Sequence, residues 1–347
     1  MNFSLSLLAK TERLEQLARP EAETLMEELL SGRIGTPEIV RLLLALNQRQ
    51  ITPAELGVFA RVMRRHAAPV FAKESERPAH MLDTCGTGGD GCGTFNISTA
   101  AAFVAAAAGV HVAKHGNRSV SSRSGSADVL EALGIRIDLP VNYSGQAIRE
   151  IGIGFLFAPS AHAATRHATA ARKQIGTRTI FNLLGPLTNP AGAHSQILGV
   201  FSPDLIDLMA ATLVELSVER AYVVHGFGGL DEISLAGETL VAEVRNGAVR
   251  RFVLTPDDFG RAPAPLEALQ GGTPQENAAI IRALLDGETG PRHDIVLMNS
   301  AAALVVTGMA TDFREATSLA RQALASGAAL AKLEQLKRFT NSVSSHR

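Results

Sequence analysis

After residue 80 the chain alternates short apolar runs with alanine-rich stretches of helical periodicity, which leaves few architectures open to it. The runs lie around Val112 and at residues 154–158, 196–201, 221–225 and 294–298. Each adjoins a helical pattern, the signature of an α/β domain with a mostly parallel central sheet. Residues 240–254 differ, because Asn246-Gly between two strand-like runs reads as a tight hairpin. Residues 301–306 and 313–331 read as closing helices. Residues 1 to about 75 are helical in pattern throughout. Residues 21–30 space their apolar positions as a helix does, Thr36-Pro-Glu signals a second start, and Thr52-Pro-Ala-Glu a third with a capping-box glutamate. The polar stretch 71–80 reads as a linker between this helical N-terminal domain and the larger α/β domain. A chain of 347 residues with 46% hydrophobic content has enough apolar material for two such domains.

Charge and cysteine usage exclude several functions. Charged residues make up 19%, against a usual share of roughly 25%, and net charge is −1 with no long run of either sign. That argues against nucleic acid as a partner. Cys85 and Cys92 build no disulfide framework and have no His/Cys cluster around them, so no zinc set is expected. The first ten residues lack a basic leader. The longest apolar run, residues 100–110, is short of the roughly 20 residues that span a membrane. A soluble cytoplasmic protein with no membrane partner is expected.

Residues 83–100, DTCGTGGDGCGTFNISTA, place five glycines ahead of an alanine-rich helix. Glycine tolerates positive φ and lets backbone approach a ligand closely. A helix start offers unpaired N–H groups and the positive end of its dipole. Asn96, Ser98 and Thr99 are the candidate caps. The segment reads as a phosphate site, the plain alternative being an ordinary loop and cap. Gly86, Gly88 and Gly91 satisfy G-x-G-x-x-G, but Gly93, Thr94 and Phe95 intervene before the helix. Where a dinucleotide fold needs a carboxylate, the next strand ends in Lys114-His-Gly-Asn-Arg118, and the P-loop lysine is missing too.

Three more segments bear on the ligand. Residues 114–128 hold three cations, five serines and two glycines, the groups a multi-phosphate ligand needs, or else a solvated loop. One βα unit after the glycine loop, they converge with it at one sheet edge. Asp231 and Glu232 follow the run at 221–225, and adjacent carboxylates at a strand end suit Mg²⁺, although such pairs also occur in surface turns. Residues 157–176 read as a strand end and then a helix, on which His162 and Arg166 share a face and Arg172 follows. An arginine there clamps a carboxylate or is surface charge. His167 reads as a core or surface residue.

These segments together resemble the anthranilate phosphoribosyltransferases of tryptophan biosynthesis, in the nucleoside phosphorylase-like class of phosphoribosyltransferases. The matching stretches are residues 83–91, 94–100, 114–122, 124–134, 178–190 (RTIFNLLGPLTNP) and 229–234 (GLDEIS), and the likeness runs over nearly the whole chain. The resemblance implies a small helical domain packed on an α/β domain, with residues 163–189 returning to the helical one. The division is then 1–75 plus 163–189 and 76–162 plus 190–347. It implies transfer of the phosphoribosyl group from 5-phosphoribosyl-1-pyrophosphate to the amine of anthranilate, with Mg²⁺ and no covalent nucleophile. Gly86, Thr87, Gly88, Gly89, Asp90 and Thr94 would hold the donor, together with Asn96, Ser98, Thr99, Lys114 and Ser126. Ser98, Asp231 and Glu232 would hold the metal, and Gly86, His115, Asn117, Pro159, His162 and Arg172 the anthranilate. A homodimer through the helical domain is implied, as is a hinge that closes over the substrates. Ala163 and Thr165 depart from the family's usual proline and bulkier residue beside the aromatic channel. A pyrimidine nucleoside phosphorylase shares the architecture, but its lysine–serine–arginine signature is missing here. A nucleic-acid-binding relative would carry a basic balance and a degraded metal pair.

Overall fold

The computed structural model describes residues 3–119 and 123–343, with side chains from Ser6 onward. The chain opens with four helices, α1 (Phe3–Glu12), α2 (Arg19–Leu30), α3 (Thr36–Gln48) and α4 (Pro53–Arg65). The capping box at α4 forms: the Thr52 hydroxyl accepts from the Glu55 N–H at 3.2 Å, and the Glu55 carboxylate accepts from the Thr52 N–H at 3.1 Å. At α3 the cap falls on Gly35, one residue before the threonine.

The second part runs β1 (Met81–Gly86), α5 (Ile97–Ala107), β2 (His111–Gly116), α6 (Ser126–Ala132), α7 (Val141–Ile151) and β3 (Ile153–Phe157). Then come α8 (Ala158–Ala161), α9 (Arg166–Ile175), α10 (Ile180–Leu187), β4 (Ser195–Gly199), α11 (Leu205–Glu215) and β5 (Arg220–Gly226). It ends with β6 (Thr239–Arg245), β7 (Ala248–Leu254), α12 (Pro274–Leu285), α13 (Pro291–Val306), α14 (Phe313–Ala325) and α15 (Ala328–Ser342). The strands form one sheet in the order β3-β2-β1-β4-β5-β6-β7. The first five are parallel, and the β6–β7 hairpin, turning at Asn246-Gly, adds two antiparallel strands. One face packs under α5, α13, α14 and α15, around Phe95, Phe103, Phe259 and Leu297. The other, with Leu198, Val200 and Val223, shares a core with Leu43, Leu56 and Phe59 of the helical part. Ala168 and Ala171 of α9 and Phe181 and Leu184 of α10 join that core.

Several expectations change. Residues 294–298 are not a strand but lie in the first half of α13, where Ile295, Val296, Leu297 and Met298 are all buried. A short apolar run has no periodicity that separates a buried strand from a buried helix; here Pro291 in the first turn and the unbroken run to Val306 decide for helix. Residues 313–331 form two helices, because Gly327 adopts φ 73° between α14 and α15. Residues 158–176 break at His162, where α8 ends, so His162 and Arg166 do not share a helix face. Strand β1 escaped the apolar pattern because Asp83 and Thr84, both buried, occupy its centre.

Candidate active site

The sheet order reverses between β1 and β4, and open α/β sheets bind ligands in the crevice outside the carboxyl ends of such strands. Gly86 and Gly199 are register partners at those ends. A Cβ on Gly199 would lie 1.6 Å from the Asp231 carbonyl oxygen, and one on Gly86 2.7 Å from Asp231 Oδ2. Both glycines are therefore required by the approach of the 231–232 loop. That loop is pinned from below by Asn299 of α13, which accepts from the Ile233 N–H and donates to its carbonyl, each at 3.0 Å.

The carboxylates of Asp231 and Glu232 turn inward onto the glycine loop and the start of α5. Gly88 N–H donates to Asp231 Oδ2 at 2.9 Å, and Ser98 N–H donates to Glu232 Oε1 at 3.0 Å. Burial raises the Asp231 carboxyl well above the ordinary range, and Asp90 and Glu232 add repulsion. Burial likewise pushes Glu232 up to about 7, opposed by Lys114 and Ser98. Lys114 is buried and donates to the Thr84 carbonyl, to Thr84 Oγ1 at 3.3 Å and to Ser98 Oγ at 3.4 Å. The one ammonium thus faces the carboxyls of Asp83, Glu232 and Asp231, more acid groups than a single cation balances once they ionise, an arrangement suited to a further cation. The oxygens of Asp231, Glu232 and Ser98 fit a small hard ion completed by water and phosphate. Among the described residues no group of three or more His, Cys, Asp and Glu is set to hold a metal alone.

The rest of the loop is built on backbone. Gly88 and Gly89 have φ of 65° and 73°. Thr87 N–H donates to the Gly199 carbonyl at 2.9 Å, and Thr87 Oγ1 accepts from the Phe201 N–H at 3.1 Å. Asp90 accepts from the Cys92 N–H at 3.2 Å, and Thr94 bridges to Gln270. Asn96 starts α5 without a side-chain cap. Its amide donates to the Ser124 carbonyl at 3.1 Å, and its Oδ1 accepts from Asn277 of α12 at 2.9 Å. Thr99 is buried with an unpartnered hydroxyl. The second loop is closed on itself, since Ser126 Oγ donates to the Asn117 carbonyl at 3.4 Å. Residues 120–122 of that serine-rich stretch lie outside the described residues.

A buried histidine pair begins one residue beyond Lys114. The His115 and His162 rings meet edge to face at 5.2 Å, and each has a buried Nε2 with no hydrogen-bond partner among the described residues. Burial pushes His115 down to about 3 and His162 to about 4. Both rings are neutral at pH 7. Pro159 lies exposed in α8. Arg172, half-buried near the end of α9, stacks over the Phe181 ring at 5.2 Å and has no ion-pair partner among the described residues. No hydrogen bond or ring contact among the described residues joins Arg172 or Pro159 to the two histidines. Sequence reading missed Gly199, Phe201 and Asn299. None carries a local signal, because each matters only through a neighbour distant in the chain.

The helical-bundle model of the glycosyl transferase family matches residues 5–67, and that family's α/β-domain model matches residues 78–330. The anthranilate phosphoribosyltransferase of Pelotomaculum thermopropionicum is 52% identical over 330 residues, covering 95% of this chain and 94% of its own. The crystal structure of the Thermus thermophilus anthranilate phosphoribosyltransferase superposes with a TM-score of 0.90 at 46% identity, over 97% of this chain and 99% of that one. The Saccharomyces cerevisiae enzyme in complex with 5-phosphoribosyl-1-pyrophosphate and Mg superposes with a TM-score of 0.89 at 28% identity, over 98% of each chain.

Proposed function

The chain belongs to the anthranilate phosphoribosyltransferase family, and we propose which of its residues carry that reaction. The enzyme transfers the phosphoribosyl group of 5-phosphoribosyl-1-pyrophosphate to the amine of anthranilate, giving N-(5-phosphoribosyl)anthranilate and pyrophosphate, in tryptophan biosynthesis. The amine lone pair forms the bond to C1, the C1–oxygen bond breaks with its electron pair on pyrophosphate, and the nitrogen sheds one proton. Little covalent work falls to the protein, so positioning and charge stabilisation carry the rate.

The donor lies across the Gly86–Asp90 turn, Thr94, the start of α5 at Asn96, Ser98 and Thr99, and Lys114, with Ser126 on the far side. The observation that carries this reading is the inward-facing pair Asp231 and Glu232, bonded to the N–H groups of Gly88 and Ser98. Asp231, Glu232 and Ser98 would hold Mg²⁺, which would supply positive charge against the departing pyrophosphate, and the relative that holds the donor together with Mg supports this. Anthranilate sits against Gly86, His115, Asn117, Pro159 and His162. Two neutral imidazoles make an uncharged wall for an aromatic ring, and Arg172, having no carboxylate of its own, receives the substrate's.

The same reading extends to the whole chain. Residues 1–75 plus 163–189 act as the helical unit, supported by the packing of α9 and α10 into its core. The enzyme is a homodimer through that unit, where Leu14 and Leu44 leave large apolar side chains exposed. It works in the cytoplasm, where its phosphorylated donor is retained; no helix among the described residues is long and apolar enough to cross a membrane.

Steady-state kinetics of Arg172→Ala test the acceptor assignment. Losing a charge-assisted contact raises the anthranilate KM about 10- to 100-fold while the donor KM moves less than about threefold. Equal losses for both substrates would remove Arg172 from the acceptor site.

A further inference from the structure

Arg178 is an exposed residue of the short link between α9 and α10, and it has no role in the reading above. Its guanidinium lies over the Phe201 ring, 3.7 Å from the centroid, and donates through Nη2 to the carbonyl of Gly89. Its own carbonyl accepts from Asn47 Nδ2 at 2.7 Å, near the end of α3. One residue therefore connects α3, through its backbone carbonyl, to the middle of the glycine turn, through its side chain. Phe201 closes the circuit, since its N–H donates to Thr87 of the same turn. Gly88 and Gly89, both at positive φ and without side chains, have little of their own to hold one conformation. Added to Gly89, a Cβ would lie 3.0 Å from that Nη2, so the fit of arginine to turn is close. A solvent-exposed contact of this kind contributes little to global stability. Its effect falls on the turn.

We infer that Arg178 is a positioning residue for the donor. It fixes the Gly88–Gly89 turn against the helical unit, six residues along the chain from Arg172, and so keeps the donor site in register with the acceptor side. It touches neither substrate. The inference rests on the reading of Gly86–Asp90 as the donor turn.

The test is the kinetics and melting temperature of Arg178→Ala, Arg178→Lys, Asn47→Ala and the double variant Arg178→Ala/Phe201→Ala. Arg178→Ala raises the donor KM about tenfold, the scale of one hydrogen bond plus one cation–ring contact, with the anthranilate KM and melting temperature nearly unchanged. Lysine restores little of this, because an ammonium cannot lie flat on the ring and reach the carbonyl together. Asn47→Ala shifts the donor KM in the same direction by a smaller factor. The double variant is no worse than Arg178→Ala, since both remove one unit. An unchanged donor KM in Arg178→Ala overturns the inference, as does an equal rise for both substrates accompanied by a fall in melting temperature. Calorimetric donor binding to Asp231→Ala/Glu232→Ala separates the two readings. If binding is lost there but intact in Arg178→Ala, only the Arg178 role falls; if it survives in both, the donor site itself is misplaced.

Discussion

His115 and His162 meet in a buried contact, and their low pKa values follow first from burial and then from the cation Arg64, with His162 and Lys114 adding to the shift of His115. The linkage to stability has a definite sign. In the unfolded chain each imidazole takes a proton below about 6.5, while in the fold they resist until about 3 and about 4. Their contribution is therefore complete above pH 6.5 and is lost as pH falls toward 4, at about 1.4 kcal/mol per pH unit for each ring. Denaturant unfolding of His162→Gln between pH 6.5 and 4.5 should show a stability slope flatter than that of the parent by about that amount. Equal slopes would mean that His162 is not held neutral by the fold. Asp83, pushed up to about 6 by burial, titrates in the same window, but it is common to both proteins and cancels in the difference. At this scale the segments proposed for the donor were legible in sequence because each is contiguous: one glycine turn, one cation after a strand, one pair of carboxylates. Arg178 stands within the recognised stretch at 178–190, yet nothing local marks it, since its partners Gly89, Phe201 and Asn47 come from three other elements.

Helix α13 shows where element-level reading fails and what the failure conceals. Ile295, Val296, Leu297 and Met298 are all buried, so their run lacks the polar face that marks most helices. The next residue, Asn299, is polar in the same buried environment, and it spends its side chain on the loop that presents Asp231 and Glu232. A third bond runs from its amide to the Ile295 carbonyl at 3.0 Å. Asn299→Ala leaves the buried N–H and C=O of Ile233 without partners, and unfolding free energy should fall by about 2–4 kcal/mol, with weakened Mg²⁺-dependent donor binding alongside. A change below about 0.5 kcal/mol in a denaturant titration would show that the loop holds itself. By contrast, the β6–β7 hairpin and the α4 cap were readable because Asn246-Gly and Thr52-Pro-Ala-Glu act within four residues.

On the scale of the whole molecule, the helical unit and one sheet face share a continuous apolar core, so the two parts are coupled by packing as well as by chain crossings. Two-part architecture was visible in the change of texture near residue 80. The packing of Ala168, Ala171, Phe181 and Leu184 into the core of the helical part was not visible in local pattern, because it depends on tertiary packing. Exposed Leu44 on α3 belongs to the surface assigned to self-association. Sedimentation should give a species of two 36.6 kDa chains for the parent and one chain for Leu44→Glu, with melting temperature nearly kept. A monomeric parent, or a variant still dimeric, would move the interface elsewhere or remove it. We propose that one crevice at the carboxyl ends of β1, β2, β4 and β5 joins the donor, Mg²⁺ and anthranilate. The most direct measurement follows anthranilate fluorescence after adding the protein, 5-phosphoribosyl-1-pyrophosphate and Mg²⁺, omitting each in turn and then substituting Asp231→Ala/Glu232→Ala. Fluorescence should be lost only when all are present, and not at all with the double variant. Loss without Mg²⁺, or undiminished turnover by the double variant, would contradict that proposal.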